Sequence, residues 1–159
     1  MEIPYFVHGG FLKCWKAVED IVIEKIKEKG ANGAYKWNRV IVVGYSHGAA
    51  LAALCHECVW FHREDLRIFG LQGVGFDGPR IYAGFKVRRA IAERWEHFTM
   101  YRNCNDIVTH LPPVLFGFRH VGNLIEIRSD KWVNCFKAHY QSEIRKSLKA
   151  YDPEEWLIY

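Results

Sequence analysis

Apolar positions along the chain switch between two periods, and the switches outline its elements. Phe11, Leu12, Trp15, Val18, Val22 and Ile26 recur at helical spacing with Lys and Glu between them, which predicts one helix ending near Gly30. A short strand at about Pro4 to Val7 precedes it, and polar residues from Ala31 to Asn38 lead to the β-branched run Val40-Ile41-Val42-Val43, a buried strand. A helix is predicted from about His47 to Phe61, and Arg67-Ile68-Phe69-Gly70-Leu71 reads as the next strand. Gly70, Gly73, Gly75 and Gly78-Pro79 punctuate the next stretch, and Phe85, Val87, Ile91 and Trp95 suggest another helix. Phe98 to Tyr101 and His120 to Ile127 are strand candidates, with Leu111-Pro112-Pro113 excluding regular helix between them. A closing helix carries Tyr140, Ile144, Leu148 and Tyr151 on one face. This alternation predicts an α/β fold with a mostly parallel sheet and helices on both faces, in a single domain over residues 1–159.

The junction Gly44-Tyr45-Ser46-His47-Gly48 lies between the strand at Val40 and a run of small residues, Ala49-Ala50-Leu51-Ala52-Ala53. A G-x-S-x-G segment in that context is a nucleophile elbow, a sharp turn that exposes the serine hydroxyl above the sheet while glycines admit a close chain crossing. The blander reading is a serine that only caps the helix.

A serine hydroxyl needs a neutral imidazole to take its proton and an acid to orient that imidazole, and behind an elbow they come in the order acid, then histidine. Asp106, right after the strand ending at Tyr101, is the expected acid; Asp77 reads as a turn residue with local backbone bonds, and Asp130 as the start of a turn. Among eight histidines His139 alone comes after the last strand at a loop-to-helix junction, and it is the expected base, with His120 its rival and His110 sharing the Asp106 loop. The backbone N–H of His47 is the expected oxyanion donor. His8-Gly9-Gly10 reads either as a second donor loop or as a tight turn into the first helix.

Composition narrows the partners. The net charge of +4 comes from interleaved bases and acids, as in Glu24-Lys25-Ile26-Lys27-Glu28-Lys29, which is a solvated helix face and speaks against nucleic-acid binding. Five scattered cysteines and no evident signal peptide predict reduced thiols in a cytoplasmic protein. Cys55-His56-Glu57-Cys58 lacks a second ligand pair, so buried helix thiols are expected and neither a metal nor another cofactor is called for. No uncharged run is long enough for a transmembrane segment.

In order along the chain these residues resemble the class 3, or fungal-type, lipase family of α/β-hydrolases. Val7-His8-Gly9-Gly10-Phe11-Leu12 is similar to the family's V-H-x-G-F-L, and Gly44 to Ala52 to G-H-S-L-G-G-A-L-A. Gly78-Pro79-Arg80-Ile81 resembles G-x-P-R-[VI], Asn105 to Pro113 is close to N-D-x-V-P-x-L-P-P, and His120-Val121-Gly122 resembles the H-V-G before a late strand. His139-Tyr140 sits where the family places its catalytic histidine. The resemblance implies a minimal α/β-hydrolase with Ser46, Asp106 and His139 as its triad. It also implies that a chain beginning here lacks the strand with the second oxyanion donor and the lid, and it matches His8-Gly9-Gly10 to the segment after that lid.

The expected function is thus a serine ester hydrolase working through an acyl-enzyme on short or accessible acyl esters or lipids. The alternative is a catalytically weak scaffold serving as an acyl-ligand or protein-binding module. Pairing of an exposed sheet edge makes a homodimer a further expectation.

Overall fold

The computed structural model describes residues 6–84, 92–128 and 133–151. Four strands, β2 (Val40–Tyr45), β3 (Leu71–Phe76), β5 (Phe98–Asn103) and β7 (Asn123–Ile127), form a sheet in the order β2-β3-β5-β7. Every neighbour in it is parallel. A small antiparallel sheet joins β1 (Phe6–Val7), β4 (Tyr82–Ala83) and β6 (Phe118–Arg119) in the order β1-β4-β6. Among the described residues the α-helices are α1 (Gly9–Lys16), α2 (Glu19–Ile26), α3 (His47–His62) and α4 (Gln141–Tyr151).

The parallel sheet needs cover on both faces. On one, α3 buries Ala49, Ala50, Ala53 and Leu54 together with Trp15 of α1, Phe98 and Met100. On the other, Ile144 and Leu148 of α4 pack with Ile127, against Tyr45, Phe76, Tyr101 and Ile125. Ile41 and Val43 of β2 alternate with the packed Val42 and are exposed, and β2 is an edge of this sheet among the described residues.

Several sequence expectations are corrected. The strand expected at Arg67 to Leu71 lies at β3 instead, and Ile68 and Phe69 are exposed. A Cβ at Gly73 would collide with the rings of Phe98 and His56, and one at Gly75 would come within 2.7 Å of Met100 Cε. These glycines therefore admit close packing within a strand rather than punctuating a loop. The helix expected from Phe11 to Ile26 is broken at Ala17–Val18, where the Val18 N–H donates to the Trp15 carbonyl. Charge marks that break: Lys13 and Lys16 close α1, and Glu19 and Asp20 open α2, each at the helix end it stabilises.

Nor does Gly30 end α2. The helix stops at Ile26, whose carbonyl accepts from buried Arg63 at 2.5 Å, while Arg63 also pairs with Asp65 at 2.8 Å. The helix expected at Phe85 to Trp95 falls largely outside the described residues, with Trp95 in a 3-10 turn at Glu93–Trp95. Asp130 lies outside them too. No helix among the described residues is long and apolar enough to cross a membrane.

Candidate active site

β2 runs into α3 through one residue, Ser46, held at φ 54° and ψ −124°. A positive φ is strained for any residue but glycine, and the turn persists because its surroundings over-determine it. The Ser46 N–H donates to the Phe76 carbonyl at 2.9 Å, and the Ser46 carbonyl accepts the Ala49 N–H at 2.9 Å. A Cβ on Gly44 would collide with the Gly48 carbonyl, so Gly44 permits the crossing. A Cβ on Gly48 would meet nothing, so of the two elbow glycines only the first makes room. Ser46 makes no side-chain capping bond to its helix, which removes the capping reading.

The Ser46 hydroxyl turns to His139 instead, with Oγ 2.7 Å from Nε2. On the far side of the ring, Nδ1 lies 2.5 Å from Oδ2 of Asp106, which is fully buried. A proton on Nδ1 facing that carboxylate leaves Nε2 as the acceptor for the hydroxyl. The other Asp106 oxygen accepts the Val108 N–H at 2.8 Å. Three residues expected from the sequence, carried after β2, after β5 and in the turn Lys137–His139 before α4, are thus brought together.

Two further motifs brace these loops. Arg80 donates from Nη1 to the carbonyls of His110 and Pro112, the latter at 3.1 Å, which ties the proline loop after Asp106 to the segment after β3. Asn103, buried at the end of β5, donates from Nδ2 to the Ala138 carbonyl at 3.1 Å. Tyr45 stacks on the His139 ring at 5.3 Å between centroids, and its hydroxyl donates to the His139 carbonyl. Burial first, then the charge of Asp106, push the Tyr45 phenol up and keep it a donor. The sequence offers only one signal for Tyr45, an unusual aromatic beside the nucleophile.

Asp77 is not the local turn residue that the sequence suggests. It is fully buried at φ 45°, and its Oδ1 accepts the backbone N–H of Asn103, 26 residues away, at 2.6 Å. One side-chain atom each from Asp77, Asp106 and His139 lie within 4.8 Å of one another. Burial first, then the Asp106 charge, raise the Asp77 carboxyl well above the usual carboxylate range, against the opposing Asn103 N–H. Three such groups could in principle ligate an ion. At 2.5 Å, however, His139 Nδ1 and Asp106 Oδ2 stand closer than two ligands about 2.0–2.2 Å from one tetrahedral ion. Their arrangement is a hydrogen bond.

His120, the rival base, is turned away: its Nε2 bonds the Thr109 carbonyl at 2.9 Å, and burial pushes the ring down to about 4. His110 reaches the Cys104 carbonyl at 3.2 Å. His8 occupies the position before α1 without a side-chain capping bond, and Gly9-Gly10 form the first turn of that helix. His47, the expected oxyanion donor, opens α3 with its ring 5.4 Å from that of Phe11 in α1. In α3, burial raises the Cys55 thiol to about 12 and the Cys58 thiol to about 11, as inert helix thiols require.

A family model of class 3 lipases matches residues 3–116. The lipase of Rhizomucor miehei is 32% identical over 120 residues, 73% of this chain and 31% of that protein. Secreted mono- and diacylglycerol lipase A of Penicillium cyclopium is 34% identical over 119 residues, 70% of this chain and 34% of its own length. The chain therefore spans about a third of the length of the curated relatives it matches. Among solved structures, Rhizomucor miehei lipase with its propeptide covers 80% of this chain and 43% of its own at a TM-score of 0.62 and 26% identity. A triacylglycerol lipase whose catalytic centre is described as a serine protease triad reaches 0.63 at 28% identity, covering 80% of this chain and 46% of its own.

The expectation of a cytoplasmic protein is corrected here, because the Penicillium relative and a Fusarium solani relative, 31% identical, are secreted. Unpaired cysteines are a poor guide to compartment: thiols held protonated by burial, as at Cys55 and Cys58, are unreactive in any of them. The fold is that of the α/β-hydrolases, and by sequence and structure together the chain belongs to the class 3 lipase family.

Proposed function

We propose that this chain is a serine ester hydrolase in which Ser46 is the nucleophile, His139 the general base and Asp106 the orienting acid. One observation carries the reading: a hydroxyl on a strained elbow stands 2.7 Å from an imidazole whose other nitrogen stands 2.5 Å from a buried carboxylate. Nε2 of His139 takes the hydroxyl proton as Oγ attacks the ester carbonyl, and Asp106 stabilises the imidazolium that forms. The backbone N–H of His47, at the head of α3 where amides have no intrahelical acceptor, receives the developing oxyanion. His139 then protonates the leaving alcohol, and a water activated by the same nitrogen releases the acid.

Short or accessible acyl esters, including glycerol esters of the kind named for the relatives, are the proposed substrates. Leu111, Val114, Leu115 and Phe116 are exposed in the segment after Asp106 and offer apolar surface to an acyl chain. The test is turnover of a short-chain chromogenic ester. Ser46→Ala is expected to lower kcat by about 10³-fold or more, and equal rates in the two proteins would remove Ser46 from the mechanism.

A further inference from the structure

In the parallel sheet β3 lies between β2 and β5, so the loop after it opens between the one bearing Ser46 and the one bearing Asp106. Asp77 is the first residue of that loop. Its backbone N–H donates to the Tyr101 carbonyl at 2.8 Å, crossing to the neighbouring strand, and its Oδ1 accepts from Asn103 at the end of that same strand. Both contacts aim the remaining oxygen, Oδ2, inward. That atom is buried and has no conventional donor, while an oxygen of the Asp106 carboxyl lies within 4.8 Å of an oxygen of Asp77. Two carboxylates this close and this dry cannot both be charged. Asp106 already accepts from Val108 and His139, both partners suited to an ionised group, so the shared proton belongs on Asp77.

We infer that Asp77 is a positioning residue: protonated at Oδ2, it donates to Asp106 and holds that carboxylate against Nδ1 of His139. This rests on the hydrolase reading of the site. The groups that face Asp77 are Tyr45 from β2, Arg102 and the Asn103 amide from β5, Asp106 beyond β5, and His139 before α4. The Asn103 N–H and, more weakly, Arg102 favour ionisation of Asp77, but burial and the Asp106 carboxylate outweigh them. A positive φ at a buried aspartate has the same explanation. Glycine would meet the backbone geometry without strain, so what the side chain adds is its carboxyl.

The backbone makes a clean test available. Asp77→Gly relieves the strain at φ 45° and deletes the donor, whereas Asp77→Asn keeps both an acceptor for Asn103 and an N–H for Asp106. On a short-chain ester, Asp77→Gly is expected to lower kcat roughly 10-fold with KM little changed, and Asp77→Asn to recover most of that loss. A second readout does not depend on turnover. The folded protein keeps the Asp77 proton that the unfolded chain releases in the ordinary carboxylate range, so wild type loses stability relative to Asp77→Asn as pH rises from about 4 to 7. Full activity in Asp77→Gly would overturn the positioning role, and a stability difference that is flat with pH would overturn the protonated carboxyl. Ester turnover that survives Ser46→Ala would defeat the hydrolase reading instead, with the pH dependence of stability still reporting the proton on Asp77.

Discussion

The two halves of the proposed proton relay are built in different ways. Ser46 sits between a strand and a helix that belong to consecutive sequence, and its geometry is fixed by neighbours: Gly44 against the Gly48 carbonyl, the Ala49 N–H on its own carbonyl, and one bond across to Phe76. His139 sits on a short 3-10 turn, and what holds it comes from far along the chain: the Tyr45 ring and hydroxyl, the Asn103 amide through Ala138, and the Asp106 carboxylate. The nucleophile is thus placed by covalent neighbourhood and the base by tertiary hydrogen bonds. Damage to the first is expected to register as lost folding, and damage to the second as lost rate in a folded protein.

Gly44→Ala attacks the first half. Its methyl would meet backbone, which cannot swing aside as a flexible side chain can, and a stability loss of about 3 kcal/mol is expected from denaturant unfolding. Tyr45→Phe attacks the second half more gently. It keeps the stacked ring and removes the hydroxyl that donates to the His139 carbonyl, so kcat is expected to fall about 3- to 10-fold with a small change in melting temperature. If Tyr45→Phe unfolded the protein while Gly44→Ala left it intact, the contrast between the two halves would be inverted.

The same division explains what the sequence can disclose. The elbow is legible because, apart from the bond to the Phe76 carbonyl, what shapes it lies within a few residues, and the order of the later loops then points to Asp106 and His139. Gly73 and Gly75 are not legible as strand residues, because the Phe98, His56 and Met100 side chains that require them come from other elements. Asp77 is hidden for a related reason. Nothing near it in sequence reveals that its carboxyl accepts from Asn103 or that it faces Asp106. The break at Ala17–Val18 does carry a local signal, the reversal of charge from Lys16 to Glu19, which the unbroken apolar period conceals.

In the proposed mechanism Ser46 is made nucleophilic by His139. Labelling by a fluorophosphonate, with the modified peptide located by mass spectrometry, reads this directly, because an activated hydroxyl displaces the reagent's own fluoride whatever the natural ester may be. Rapid modification at Ser46 is expected in wild type, at a rate lower by about 10²-fold or more in His139→Ala. Equal labelling of the two proteins, or modification at a different serine, would contradict that mechanism.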